Sequence, residues 1–333
     1  MLKTRLISSG SGGRSARGYT TGGGGSPTPP APTSGIKKII IDGAGNYYAI
    51  GMLTKSKNVY KSTDMVNWSI VYTAPNDLTD LCGWSNTYFG ICGKGGFVAR
   101  SANGTVWTDL SDPALTDDYI AISIGQEAGA RQIYVSSTNK IYAYDSNILW
   151  PGWILIDTEP ANISLRFAGV APATGFYPIF FGYDGTAHNI AIRSIHPALT
   201  NPPTVDPAAI AIDAHVNGWN TTYIGNYFAA DEGIVEATTP KLYPTRYPQY
   251  AIATNFSVGL FTNISCGAQG SIYGINGNGI PLSLQFSGYV YDFETCIYFG
   301  AGNSLFIVAG KGLITKVNLN NTLLWYESLI VLP

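Results

Sequence analysis

The chain has 333 residues and is poor in charge, because Asp, Glu, Lys and Arg together make up 12% of it and the formal net charge is −2. An average domain has about 25% charged residues, so Ser, Thr, Asn and Tyr must cover much of this surface. The near-neutral balance argues against broad electrostatic attraction to nucleic acid or to an anionic membrane.

Residues 1–35 differ in composition from the rest of the chain. They contain four consecutive glycines at 22–25 and a proline-rich segment at 27–32, a composition that favours flexible and extended conformations. Their charges are all positive, on Lys3, Arg5, Arg14 and Arg17. No apolar run of about 7 to 15 residues follows the basic start, so we expect no secretory signal. We expect an anchoring arm that becomes ordered along an acidic groove of a partner, and a disordered tail or engineered linker is the alternative.

From residue 36 onward one unit recurs: a short apolar strand, an aromatic strand, a turn and two further strands. In the clearest pair, 45–68 and 85–107, an aromatic start, a Ser and a Trp six positions after the Ser all recur. The aromatic anchors of the units are Tyr48, Tyr88, Tyr134, Phe180, Tyr227, Tyr273 and Phe306. Their intervals of 40, 46, 46, 47, 46 and 33 residues predict about seven units. A β-rich unit repeated at this period is typical of a β-propeller.

The alternation of apolar and polar residues predicts the individual strands, as at 141–144 and 190–193. The third strand of each unit is expected at 58–62, 96–101, 140–145, 189–194, 233–238, 279–284 and 312–317. The segment 325–332 would supply the last outer strand, so the first and last blades should close by packing. We therefore predict an all-β chain, a single β-propeller of about seven four-stranded blades at 36–333, preceded by an extended N-terminal arm at 1–35.

The cysteines and histidines do not show a pattern typical of a metal centre or of a hydrolase. The spacings of Cys82, Cys92, Cys266 and Cys296 do not match a zinc site. We expect buried free thiols, with Cys266 and Cys296 on first strands, and leave a disulfide between Cys82 and Cys92 open. His188, His196 and His215 occur without a nucleophile elbow or a zinc-protease motif. We expect no metal and no cofactor.

Two turns carry a recognisable motif, which consists of Ser62, Asp64 and Trp68 in the first unit and Ser101, Asn103 and Trp107 in the second. It resembles the Asp box, the Ser-x-Asp-x-Gly-x-x-Trp turn of sialidase-like propellers, although it is one residue shorter. The Asp or Asn accepts backbone N–H groups, a turn glycine permits positive φ, and the Trp packs over the turn. The resemblance implies a structural role at the blade periphery, away from the active face.

The same resemblance implies what a sialidase would need: three arginines on a carboxylate, a Tyr activated by a Glu, and an Asp acid. The five arginines that follow residue 35 match no such motif. Two of them, Arg100 and Arg193, precede the serines that close third strands, and we expect both in surface ion pairs or turn contacts. Carboxylates of different blades could still pair for glycoside hydrolysis, and the candidates are Asp184, Asp231, Glu232 and Asp292.

The turns between second and third strands converge on one face of a propeller, where functional loops concentrate. The side chains that we expect to bind a ligand there are Lys55, Lys94, Asn139, Asp184, His188, Asp231, Asn276 and Lys311. They combine both charges with amides, which suits polar contact with a glycan or a protein.

A Gly/Ser/Pro-rich arm on a charge-poor propeller resembles, in architecture, a tail, fibre or decoration protein of a tailed bacteriophage. The resemblance implies a non-enzymatic component of the extracellular virion, present in multiple copies. Residues 1–35 would dock on other virion proteins, and the propeller would contact protein or host-surface glycan, without nucleic-acid binding or membrane insertion. The alternatives are a carbohydrate-active propeller, either a sialidase-like hydrolase or a depolymerase, and a bacterial scaffold propeller of the Asp-box type.

Overall fold

The structure is a computed structural model of the chain. It describes residues 4–6, 34–84, 88–127, 130–145, 152–171, 177–196, 203–220, 227–236, 240–254, 261–276, 281–285, 292–299, 305–318, 324–329 and 332–333. Within these ranges the sole helix is one 3₁₀ turn, Ala268–Gly270, and no helix has the length and apolar character needed to cross a bilayer. All other regular structure in them is β-strand.

The strands in these ranges form six four-stranded sheets and one five-stranded sheet. The first sheet contains β2 (Ser34–Ile41), β3 (Tyr47–Leu53), β4 (Asn58–Ser62) and β5 (Ser69–Thr73). The second contains β6 (Leu78–Trp84), β7 (Tyr88–Gly93), β8 (Val98–Ser101) and β9 (Trp107–Asp109). The third contains β10 (Ala121–Glu127), β11 (Ala130–Ser136), β12 (Lys140–Asp145) and β13 (Gly152–Thr158). The fourth contains β14 (Ile163–Ala171), β15 (Tyr177–Asp184), β16 (Asn189–His196) and β17 (Thr204–Ile210).

Three further sheets complete the order. The fifth sheet contains β18 (Val216–Asn220), β19 (Tyr227–Ala230), β20 (Gly233–Glu236) and β21 (Lys241–Pro244). The sixth contains β22 (Gln249–Thr254), β23 (Phe261–Gly267), β24 (Ser271–Asn276) and β25 (Pro281–Gln285). The seventh contains β26 (Phe293–Phe299), β27 (Leu305–Gly310), β28 (Leu313–Asn318), β29 (Leu324–Leu329) and β1 (Thr4–Leu6).

The sheets are antiparallel meanders arranged as a propeller. Their first strands contact one another in chain order, from β2 through β6, β10, β14, β18 and β22 to β26, and β26 contacts β2. Apolar residues of adjacent sheets pack between them, as Tyr48 and Ile50 of the first sheet do with Leu81 and Phe89 of the second. The all-β propeller predicted from the repeat is therefore confirmed.

The first and seventh sheets join through packing and through a backbone hydrogen bond. Ile36 and Trp68 share one buried cluster with Ile307 and Leu332, and the N–H of Gly312 donates to the carbonyl of Ser34 at 3.0 Å. The short strand β1 pairs antiparallel with the outer strand β29. Strand β2 begins two residues before the predicted boundary at 36, and residues 7–33 lie outside the described residues.

The strand prediction is accurate in the first sheets and wrong in the sixth. β4 and β12 have the predicted bounds. The anchor Tyr273 was expected in a second strand but lies in the third strand β24, and the predicted third strand 279–284 overlaps the fourth strand β25. The reason is that a buried position of the true second strand β23 holds Ile264 instead of an aromatic residue. The aromatic series therefore skipped one strand, which explains its short last interval.

All four cysteines are free thiols, as predicted. The disulfide left open between Cys82 and Cys92 does not form, because Cys82 faces Gly90 across the strands while Cys92 faces Asp80. Burial raises the pKa of the Cys92 thiol. Cys266 lies on the second strand β23, so its expected place on a first strand was wrong.

Arg193 is buried, and its predicted surface position was wrong. Its side chain is 9% exposed and that of Glu159 is 1% exposed. Nη2 of Arg193 donates to Oε2 of Glu159 at 2.6 Å, and Nε lies 2.5 Å from Oε1. Because Glu159 follows β13 and Arg193 lies on β16, this ion pair connects the third and fourth sheets. Burial raises the pKa of Glu159, and the guanidinium of Arg193 opposes that rise.

Candidate functional site

Six of the seven first strands contain a β-bulge. It lies near the start of the first strand, opposite the last residues of the second strand of the same sheet. In β14, for example, Leu165 faces Gly182 and Phe167 faces Phe181, so Arg166 is the extra residue. The extra residues are Lys37, Thr79, Arg166, Asn217, Tyr250 and Glu294. A bulge redirects a side chain, and bulges are common beside functional sites. Because the bulge recurs at the corresponding position of six first strands, this position is the leading candidate site.

Glycines on the second strands allow the backbone to approach closely at these bulges. A Cβ added to Gly267 would lie 1.9 Å from the carbonyl oxygen of Pro248, and one added to Gly182 would lie 2.3 Å from that of Ser164. Each of these carbonyls belongs to the residue two positions before the bulge. A side chain at either glycine would therefore collide with backbone, so glycine is required for the bulge geometry.

The extra residues meet around one central cavity of about 510 Å³. Ile120, just before β10, lines the same cavity from the third sheet. We call the seven residues the cavity ring: Lys37, Thr79, Ile120, Arg166, Asn217, Tyr250 and Glu294. The volume is within the range of about 300 to 1,000 Å³ that is usual for small-molecule sites. The ring combines two cations, one acid, an amide, a hydroxyl, an aromatic ring and an apolar side chain, so it can present several chemistries to one ligand.

A hydrogen-bonded chain holds Arg166 in the ring. Asn217 accepts a contact from Nη1 of Arg166 at 3.4 Å through its Oδ1. Its Nδ2 donates to Oδ1 of Asp231 at 2.6 Å and to the carbonyl of Gln249 at 3.1 Å. Because both donations fix the amide, Oδ1 of Asn217 is directed to the arginine. Asp231, predicted as a ligand-binding residue, thus contacts the ring through Asn217.

The acids of the cavity wall differ in their partners. Asp80 is paired with Lys38 at 3.4 Å and accepts the backbone N–H of Ile122 at 3.1 Å, so it connects neighbouring sheets. Burial raises the pKa of Glu294, and Lys311 and Lys37 oppose that rise. The carboxylate of Glu294 therefore loses its charge more readily than an exposed glutamate does.

A second cavity, of about 300 Å³, adjoins the first and shares Lys37, Thr79 and Glu294 with it. The predicted turn residue Lys94 also lines it, and its Nζ lies 3.7 Å from Oδ2 of Asp77. The central cavity thus continues toward the face that carries the turns between second and third strands.

Three other predicted turn residues are on this face and already have partners in the chain. Nζ of Lys55 donates to the carbonyl of Pro333 at 2.8 Å, and Nζ of Lys311 donates to Oδ2 of Asp292 at 3.2 Å. Asn139 is exposed, and its carbonyl accepts the N–H of Glu159 at 2.7 Å. The structure does not bring these three residues into one site.

Asp184 ends β15 and His188 lies in the turn after it, and His188 belongs to a polar cluster between the fourth and fifth sheets. Asp184 accepts the N–H groups of Thr186 and Ala187, and these bonds, with one from Asn162, lower its pKa. His188 has a left-handed φ of 52°.

Tyr183 is the centre of this cluster. Nδ1 of His188 lies 2.8 Å from the Tyr183 hydroxyl, which donates to Asp213 at 2.8 Å. The ring of Tyr183 lies 4.0 Å from that of His215, which is bonded to Glu232. The described residues contain no group of three or more His, Cys, Asp or Glu side chains suited to a metal ion.

Asn276 is on the wrong face for the predicted ligand site. It ends the third strand β24, whereas the turn between second and third strands of that sheet is formed by residues 268–270. It therefore lies at the opposite end of the strand, and its side chain is outside the described residues. The error follows from the displaced anchor Tyr273.

The two Asp-box-like turns have nearly the same hydrogen bonds. In the first, Oδ1 of Asp64 accepts the N–H groups of Val66 and Asn67 at 2.8 and 2.7 Å. Nε1 of Trp68 donates to the carbonyl of Met65 at 3.1 Å. Backbone N–H donation from Asn67 is the largest cause that lowers the pKa of Asp64.

In the second turn, Asn103 takes the place of Asp64. Its Oδ1 accepts the N–H groups of Thr105 and Val106, both at 2.9 Å. Ser101 accepts the N–H of Gly104 at 2.8 Å, as Ser62 accepts that of Met65 at the same distance. Trp107 packs beside Tyr72, with ring centroids 5.7 Å apart. These residues stabilise the turns.

The chain resembles solved propellers in fold. It matches a catalytically inactive virginiamycin B lyase from Staphylococcus aureus with quinupristin at a TM-score of 0.63 and 10% identity, covering 99% of each chain. It matches YCF48 from Cyanidioschyzon merolae at a TM-score of 0.58 and 12% identity, over 90% of this chain and 97% of that one.

A third match is the WD40 β-propeller domain of Doa1, with a TM-score of 0.58, 13% identity and coverage of 89% of this chain and 93% of that one. At these identities the likenesses show the fold alone. No protein-family model matches the chain, and no curated protein matches it either.

Proposed function

We propose that the protein is a non-enzymatic binding propeller and that the cavity ring contacts its ligand. The main support is the repeated bulge, which places one side chain from each of six first strands around a single cavity. A structural repeat that served packing alone would favour similar residues at these positions. Six different side chains of mixed charge are typical of a recognition surface.

The partners of the candidate carboxylates favour binding over glycoside hydrolysis. Asp184, Asp231 and Asp292 accept hydrogen bonds from Ala187, Asn217 and Gln269, respectively. Glu232 accepts two from His215. A general acid needs a raised pKa, whereas the pKa of Asp184 is lowered. Each of these four acids thus already accepts a hydrogen bond within the chain, which supports binding over catalysis by a pair of carboxylates.

We further propose that the protein is a component of a phage particle, built into it through residues 1–35. The composition of this arm and the charge-poor propeller support the proposal. We propose that the seven sheets are the seven blades of one ring, and the contact of β26 with β2 supports this count. The hydrogen bonds of Asp64 and Asn103 support a relationship to Asp-box propellers.

Deleting residues 1–33 tests the particle assignment and leaves β2 intact. The variant and the full chain are supplied separately during infection with a phage that lacks the gene, and purified particles are probed by immunoblotting. We expect a folded variant, judged by circular dichroism, that is absent from the particles. Equal incorporation of the two proteins would contradict docking through the arm.

An assay for new reducing ends tests the alternative of a carbohydrate-active propeller. The full chain is incubated with capsular polysaccharide and lipopolysaccharide from the phage host. We expect no increase over a heat-denatured control. A time-dependent increase that vanishes in Glu294→Gln would instead establish hydrolysis in the central cavity.

A further inference from the structure

We propose that the cavity ring binds an acidic saccharide, with the ammonium of Lys37 and the guanidinium of Arg166 contacting its carboxylate groups. This inference rests on the proposed binding function and names the ligand class for it. Lys37 and Arg166 come from the first and fourth sheets but line the same cavity. One ligand in this cavity can therefore contact both cations.

The two ring cations differ from other cations of the chain in their partners. Lys94, Lys140 and Lys311 each have a carboxylate within 4.0 Å. Among the described side chains, neither Lys37 nor Arg166 forms such an ion pair, and the hydrogen bond of Arg166 is to a neutral amide. Both remain available to an anionic ligand, and a charged hydrogen bond is stronger than a neutral one.

The neutral residues of the wall favour a sugar over a simple anion. Tyr250 supplies an aromatic ring to the wall. Oγ1 of Thr79, which donates to the carbonyl of Tyr119, and Oδ1 of Asn217 can each still accept a hydrogen bond from a sugar hydroxyl. A cavity of about 510 Å³ exceeds the needs of a bare phosphate or carboxylate. Its mixture of polar groups with an aromatic surface is what a sugar unit requires.

The position of Arg166 is prepared before a ligand arrives. Asn217 is fixed by Asp231 and by the carbonyl of Gln249, and its oxygen faces the guanidinium. Fixing a binding group in advance lowers the entropic cost of association. Asp231 therefore acts as a positioning residue, through Asn217.

Substitution of Glu294 should change the affinity for an acidic saccharide in the opposite direction to substitution of Lys37 or Arg166. Glu294 lines the same cavity as Lys37, and its charge opposes an anionic ligand. Glu294→Gln should therefore strengthen the binding of an acidic saccharide, whereas Lys37→Gln and Arg166→Gln should weaken it. A purely structural role of these residues would not produce opposite changes in affinity.

Isothermal titration calorimetry with the purified full chain measures the binding. The probes are a trisaccharide of galacturonic acid, a neutral galactose trisaccharide and inorganic phosphate. We expect the acidic trisaccharide to bind, with an affinity that falls as salt rises. Lys37→Gln and Arg166→Gln should each weaken it about tenfold or more, as expected for a lost charged hydrogen bond. Lys241→Gln, on the outer strand β21, is the matched control and should not change it.

Four outcomes would overturn the proposal, and the first three are no binding of the acidic trisaccharide, equal binding of the neutral one, and an equal loss of affinity in Lys241→Gln. Phosphate that binds as tightly as the acidic trisaccharide would show an anion site without sugar recognition, and would also overturn it. Circular dichroism and thermal melting of each variant separate lost binding from lost folding. Particle incorporation is measured independently, so failure of the saccharide proposal is distinguishable from failure of the proposed virion role.

Discussion

Replacing Arg193 by Met removes one partner of the buried ion pair between the third and fourth sheets. The Glu159 carboxylate, 1% exposed, would lose its contacts at 2.5 and 2.6 Å. Asp157 lies 3.9 Å from Nε of Arg193 and adds a second negative charge nearby. The change thus leaves a buried carboxylate without its cation.

The expected loss in the free energy of unfolding follows from the burial of Glu159. Removing one partner of a buried pair costs about 3 to 5 kcal/mol, which for a domain of this size lowers the melting temperature by roughly 4 to 8 °C. In the variant, Glu159 has a pKa raised further above its unfolded value. The neutral form is then favoured, so the destabilisation should be largest at neutral pH and shrink as the pH falls.

Urea unfolding of Arg193→Met, followed by tryptophan fluorescence, measures the loss. Arg100→Met is the matched control, because Arg100 lies at the corresponding place on β8 and is only partly buried. The control should change the free energy of unfolding by less than about 0.5 kcal/mol. Adding Glu159→Gln to Arg193→Met should recover part of the loss. Equal losses in Arg193→Met and Arg100→Met would refute the reasoning.

Two further predictions concern the turns and the bulges. Asp64→Ala should lower the free energy of unfolding, measured in urea, by about 1 kcal/mol, whereas Asp64→Asn should cost less, because Oδ1 of Asn103 accepts the corresponding two N–H groups in the second turn. Since the pKa of Asp64 is lowered on folding, the part of its contribution that depends on the charge should decrease below the unfolded pKa and be lost as the pH falls through the folded pKa. Gly267→Ala should cost about 3 kcal/mol or more, because its Cβ would meet a carbonyl at 1.9 Å. Gly185→Ala, with its nearest contact at 3.6 Å, should be tolerated; equal melting temperatures for the two glycine variants would contradict the close approach.

The sequence predicts the propeller well because its units repeat both period and alternation. The third strands β4 and β12 have the predicted bounds, since alternation and flanking turns coincide there. In the sixth sheet the aromatic pattern fails, because Ile264 fills the buried position of the second strand and the anchor Tyr273 lies one strand later. Burial selects an apolar side chain of suitable size, not an aromatic one.

The site was harder to predict than the fold. The sequence placed it on the turns, whereas six side chains of the cavity ring lie on bulges within the first strands. The pattern of apolar and polar residues around Arg166 does not reveal whether a bulge redirects its side chain. The bulge depends on the facing strand, which the local pattern does not contain. Glycines near the ends of second strands, such as Gly182 and Gly267, were a signal that could have indicated it.

The most direct test of the central claim is an experimental structure of the full chain with the galacturonic acid trisaccharide. The sugar should lie in the central cavity, with its carboxylates within hydrogen-bond distance of Lys37 and Arg166. A trisaccharide bound instead at the turn residues Lys55 or His188, with the cavity ring untouched, would contradict it.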